Sequence, residues 1–153
     1  MKKSAIILTV LMSVSIFAGI EIDFEQRTFW HVRERETVVK GKIILGDGNK
    51  FNIRIGKFNY ISNGDTLWEY NSRQKQVRIQ KLTPELSKTV PKEILELLED
   101  DNFLKNPNKK TVTLKDTDGN IVTYTIEKAV VLNNASDSMF NFIIPQGAQV
   151  YDD

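Results

Sequence analysis

Between residues 38 and 82 apolar side chains recur at every second position, and each such run ends in turn-forming residues at hairpin distance. Period two with short links predicts an antiparallel meander of half-buried strands. Residues 38–45 form the first predicted strand, with Val39, Gly41, Ile43 and Leu45 on one face. Asp47-Gly48-Asn49 supplies a tight turn. Phe51, Ile53 and Ile55 then alternate with Asn52, Arg54 and Gly56. Residues 58–61 continue extended, Asn63-Gly64-Asp65 turns the chain, and residues 66–70 return it. After a polar turn over 72–75, residues 76–82 place Val77 and Ile79 on one side.

The pattern changes after Leu82. Pro84 and Pro91 interrupt strand formation, and residues 91–100 predict a short helix opened by Pro91. Ile94, Leu95, Leu97 and Leu98 crowd one side of it, opposite Lys92, Glu93, Glu96 and Glu99. Residues 111–115 and 121–128 predict two further strands joined by Asp116-Thr117-Asp118-Gly119-Asn120. Residues 130–132 predict another. Phe140, Phe142 and Ile144 alternate in a last strand ended by Pro145 and Gly147. The expected class is mainly β (α+β): one curved antiparallel sheet whose apolar concave face is partly covered by the helix.

The N-terminus reads as a secretory signal. Lys2 and Lys3 precede an uncharged apolar run over residues 5–17, small residues follow at Ala18 and Gly19, and the first acid is Glu21. Cleavage after Ala18 or Gly19 is expected, with Ser15 as the alternative site. An uncleaved membrane anchor is the other reading, although the run is short of the ~20 residues a spanning helix needs. The expected division is a signal peptide over 1–19 and one domain over 20–153, acting in the periplasm as a soluble monomer. With 153 residues, 41% hydrophobic and 27% charged, the composition is that of an ordinary globular domain. The whole chain has 21 basic and 20 acidic residues, and removal of Lys2 and Lys3 leaves a net charge of −1. Nucleic-acid binding would require a clear positive excess. There is no cysteine. Disulfides, thiol catalysis, thiolate metal sites and a lipidated N-terminal cysteine are therefore excluded.

Other constellations carry little. Asp116, Asp118 and Asn120 open like a calcium loop, but such a loop has glycine at its sixth position, where Ile121 stands, so a hairpin turn is expected. His31 is the only histidine and has no second histidine or cysteine with which to build a zinc site. Arg33, Glu34, Arg35 and Glu36 alternate in sign, as a solvated edge or a docking strip would. No catalytic constellation and no cofactor site emerges, and a non-enzymatic protein is expected.

Two stretches resemble a known family. Residues 61–71, ISNGDTLWEYN, are similar to the "SDGxTLWxY(N/D)" hairpin of the periplasmic outer-membrane lipoprotein carriers, the LolA-like family, and Gln76-Val77 stands where that family has "QV". Residues 140–150, FNFIIPQGAQV, resemble its "FxFxxPxGxxV" ending. Phe24-Glu25-Gln26, residues 41–45 and residues 50–54 are similar to its "FxQ", "GxLxL" and "xFRW" segments, in the same order. The chain departs from the family in three places. The signal runs almost directly into Phe24, leaving no room for the usual N-terminal helix. Asp47-Gly48 replaces the family's "RP", and residues 83–139 match no family motif. The resemblance implies a half-open β-barrel with helices as a lid, acyl chains of lipoproteins or lipids in its cavity, and transfer from an inner-membrane release complex to an outer-membrane receptor.

Alternation suggests an inward face made of Phe51, Ile53, Ile55, Trp68, Tyr70, Val77, Ile79, Phe140, Phe142 and Ile144. These are the candidate acyl-chain cavity, with Ile94, Leu95 and Leu98 as the lid. The alternative is that the same residues form a filled core. The protein would then be an exported structural or interaction module that binds a protein partner through a sheet edge or the strip over 33–36.

Overall fold

The computed structural model describes residues 19–84 and 110–152. The protein is mainly β, built on one sheet of nine strands in the order β7-β8-β1-β2-β3-β4-β5-β6-β9. The strands are β1 (Gly19–Trp30), β2 (Arg35–Leu45), β3 (Lys50–Ile55), β4 (Phe58–Asn63), β5 (Thr66–Asn71), β6 (Gln76–Lys81), β7 (Thr111–Lys115), β8 (Ile121–Leu132) and β9 (Gln149–Asp152). The sheet is open, with β7 and β9 as its edges. The helix expected over 91–100, with Ile94, Leu95 and Leu98, lies outside the described residues, as does the segment up to Ala18. The helical element among the described residues is a single 3-10 turn, Asp137–Phe140, capped by Ser136, whose side chain accepts from the Ser138 amide.

The meander of β1 to β6 follows from local chemistry. Each neighbouring pair is antiparallel. Between β2 and β3, Gly48 and Asn49 both have positive φ, 59° and 61°, and the Lys50 amide donates to the Asp47 carbonyl at 3.1 Å. Two successive left-handed residues match the right-handed twist of the flanking strands, and glycine and asparagine are the residues that tolerate them. At the β7–β8 turn the Asp116 carboxylate accepts from the Asp118 and Asn120 amides at 3.0 and 2.8 Å and from Asn120 Nδ2 at 2.9 Å. Those hydrogen bonds, led by the one from the Asn120 side chain, hold its pKa below the usual carboxylate value. The five residues thus serve as the hairpin turn expected of them.

Three features differ from the sequence expectation. First, β1 is a twelve-residue strand that pairs with both β2 and β8, with Glu127 as an extra residue opposite the Asp23–Phe24 step. Residues 130–132 continue β8 and do not form a separate strand. Second, residues 140–144 are not a strand. Phe140 ends the 3-10 turn, the chain runs on outside any ladder, and the last strand starts only at Gln149. Third, the sheet is not wholly antiparallel, because β9 pairs parallel to β6.

Directly opposed residues share a face, so the registers assign every strand position to one side of the sheet. One face carries the core: Ile20, Ile22, Phe24, Ile43, Phe51, Ile53, Leu67 and Ile126 form a cluster in which none is more than 3% exposed. Burial of each such side chain is worth about 1.5–3 kcal/mol. The centre of the other face is charged. Lys42 pairs there with Glu21 and with Asp23 at 3.2 Å, Lys40 with Glu127, and Arg27 with Glu25 and Glu36.

Candidate functional site

The core face changes character from one side of the sheet to the other. A row of opposed residues runs across it from Ala129 in β8 through Ile22, Ile43, Ile53, Tyr60, Glu69 and Arg78 to Tyr151 in β9. The neighbouring row runs from Ile126 through Phe24, Gly41, Ile55, Phe58 and Asn71 to Gln76. On the other side, Val131, Ile20, Leu45, Phe51, Ser62 and Leu67 lead to Gln80. Each row is apolar through β8, β1, β2 and β3 and polar at β6. The apolar part spans about 15 Å at the ordinary spacing between strands.

Tyr60 stands at the transition. Its ring packs against the core cluster and stacks on Phe58, with centroids 6.2 Å apart. Burial raises its pKa, and the neighbouring Glu69 carboxylate adds to the effect. Beyond Tyr60 lies an open groove of about 360 Å³, lined by Phe58, Tyr60, Glu69, Gln74, Gln76 and Arg78, with Tyr151 at the β9 side.

The candidate residues divide between the two faces. Phe51 and Ile53 are buried in the core cluster, and Ile55 packs against it. Trp68, Tyr70, Val77 and Ile79 lie on the opposite face. Trp68 opposes Ile61 and Ile79, and Tyr70 opposes Val77, whereas the partners of Ile53 lead through Tyr60 to Glu69 and Arg78. The ten residues therefore do not form one inward surface. Phe140 and Phe142 belong with the Trp68 set. Phe140 is 1% exposed and lies against Gly46, and Phe142 meets Tyr70 at 5.4 Å between centroids. Asn52 Nδ2 donates to the Met139 carbonyl at 2.8 Å, and Lys50 pairs with Asp137 at 3.0 Å, which fixes the C-terminal segment across this side. The Asp137 and Asp47 carboxylates raise the pKa of Lys50. Ile144 is exposed.

Sequence reasoning missed Ile20, Ile22, Phe24, Leu67 and Ile126 as members of the core face. The first three alternate strictly with Glu21, Asp23 and Glu25, which is a half-buried strand pattern. In β5, Leu67 is 1% exposed and faces the core, while the larger Trp68 faces the other way. Comparison with protein-family models finds none that matches this sequence, and comparison with curated proteins finds no match either.

Proposed function

We propose that the protein is a periplasmic, LolA-like carrier that binds the acyl chain of an amphiphile, a lipoprotein or lipid, against the apolar part of the core face and passes it towards the outer membrane without covalent chemistry. One observation carries this reading: the cross-sheet rows, among them the one from Ile22, Ile43 and Ile53 to Glu69 and Arg78, are apolar at β1 to β3 and polar at β6, which makes the face amphipathic across the strands. An ordinary core has no need of a polar end on the same face, whereas a ligand with a tail and a headgroup does. Transfer of one CH₂ from water is worth about 0.8 kcal/mol, so a chain of ~16 carbons gains over ~10 kcal/mol gross in an ideal dry site. A carrier must release its cargo, and because Ile22, Ile43 and Ile53 are no more than 2% exposed, a tail has to displace the contacts that cover them, which lowers that gain. The resemblance of residues 61–71 and 140–150 to the lipoprotein carriers supports the same reading. The first of these stretches spans the β4–β5 hairpin, and the second runs from the 3-10 turn to β9.

Native mass spectrometry of the mature protein, purified from periplasm without detergent, tests the proposal. Bound species with acyl-chain masses are expected, and so is uptake of a hydrophobic fluorophore displaced by a fatty acid. A protein that runs free of ligand and takes up no fluorophore sinks the carrier reading.

A second reading, a protein-binding module, draws on the far end of the β1–β2 hairpin. Phe29 and Trp30 are exposed there, Val32 is 86% exposed, and Arg33 to Glu36 follow directly. Retention of an unlipidated partner that depends on Val32 and Arg33 would favour this reading.

A further inference from the structure

The face turned away from the core carries a cleft of its own. The chain from Met139 to Ile143 runs over this face, held by the hydrogen bond from Asn52 Nδ2 to the Met139 carbonyl, and forms with β2, β3 and β4 a cleft of about 330 Å³. Ile44, Ile61, Phe142 and Ile143 supply its apolar lining, and Arg54 and Asn59 a polar one. Arg54 and Asn59 oppose each other across β3 and β4, so a guanidinium and a carboxamide stand side by side.

The protein itself engages neither group: among the described residues Arg54 makes no ion pair and the Asn59 side chain no hydrogen bond. Arg27, Lys40, Lys42 and Lys50, on the same face, are all paired with carboxylates. A guanidinium presents parallel N–H donors that match the two oxygens of a carboxylate, and Asn59 Nδ2 is a further donor. Lys42, which opposes Arg54 from β2, is already held by both Glu21 and Asp23. Those two acids disfavour a second negative charge nearby, so the site suits a monoanion. The strands beneath it are inner strands with a ladder on each side. They have no free edge with which to pair a peptide backbone, and recognition falls to the side chains. The cleft is at the small end of ligand sites, which favours a short apolar body.

We propose that this cleft binds a small monocarboxylate with a short apolar body, the carboxylate on Arg54 and Asn59 and the body against Ile61 and Phe142. The site lies on the opposite face from the acyl-chain surface and does not depend on it.

Nitrogen–proton correlation NMR of the mature protein tests this. The probes are hexanoate, acetate, hexanol, hexylammonium and the dianion hexyl phosphate. Hexanoate is expected to shift the Asn59 side-chain amide and the backbone amides of 139–143 together and to saturation. The other four are each expected to bind more weakly, hexanol and hexylammonium by about fivefold or more, the worth of a partly exposed ion pair. Arg54 is exposed and unpaired, so Arg54→Gln is expected to fold as the wild type does and to weaken hexanoate by about fivefold. Asn59→Asp, which sets a carboxylate beside the guanidinium, is expected to weaken it at least as much. Hexanol or hexyl phosphate binding as tightly as hexanoate, or an Arg54→Gln protein that binds it unchanged, overturns the proposal. Shifts confined to Ile22, Ile43 and Ile53 also overturn it and leave the acyl-chain surface intact, whereas saturable shifts at Asn59 support it even if the protein carries no lipid.

Discussion

Gly41 shows how a single missing side chain shapes the core face. It opposes Phe24, and a Cβ built there would stand 2.3 Å from Phe24 Cζ and 2.8 Å from the Arg54 carbonyl oxygen. The Phe24 ring therefore lies over the glycine and closes the gap between β1 and β3. Gly41→Val is expected to lower stability by about 2 kcal/mol, the ordinary cost of overpacking. In urea unfolding this appears as a lower midpoint at unchanged slope, and an unchanged midpoint would mean that the ring is elsewhere. The glycine was legible as a member of an apolar strand face, but its partner was not. Ile20, Ile22 and Phe24 follow closely on the apolar run over 5–17, and next to so strong a signal their alternation reads as its tail instead of the start of a strand.

At the scale of elements, the β2 to β6 meander was written plainly in the sequence, because each link is short and each turn carries the residues its geometry requires. Two things were not. Alternation tells which residues of one strand share a side, but only the register tells whether that side matches the next strand's. The Ser62–Leu67 pairing turns Trp68 and Tyr70 away from Phe51 and Ile53. Alternation at Phe140, Phe142 and Ile144 likewise has a cause other than pairing, since the first two rings reach the sheet from a segment that crosses it. The fixed point of that segment is Phe140. Phe140→Ala is expected to cost about 3 kcal/mol in chemical denaturation, as removal of a buried phenylalanine does. Deletion of 149–153 should cost less, because all four residues of β9 are exposed and its pairing to β6 is of the weaker parallel kind. The reverse order would mean that the edge strand, and not the ring, holds the C-terminus in place.

For the whole molecule, a ligand that binds only the folded protein must raise its stability by mass action. At a hundredfold excess over Kd the gain is about 2.7 kcal/mol, on the order of 8 °C in Tm for a domain of this size. Thermal melts with increasing dodecanoate, kept below its micelle concentration, are expected to rise with the logarithm of its concentration. A flat response would place the amphiphile off the folded sheet. The strand order has a further consequence, for the history of the chain rather than its final state. β1 pairs on one side with β2, its immediate successor, and on the other with β8, which is synthesised roughly a hundred residues later. Long-range pairing of that kind forms late. Until it does, one edge of β1 stands open to neighbouring chains with Ile20, Ile22 and Phe24 beside it. The alternating Glu21, Asp23, Glu25 and Arg27 put charges along that same edge, and charge is a common guard against strand-to-strand aggregation. Glu21 and Asp23, which meet Lys42 of β2, and Glu25, which meets Arg27 of β1, thus line the β1 edge with charge during the interval before β8 is made.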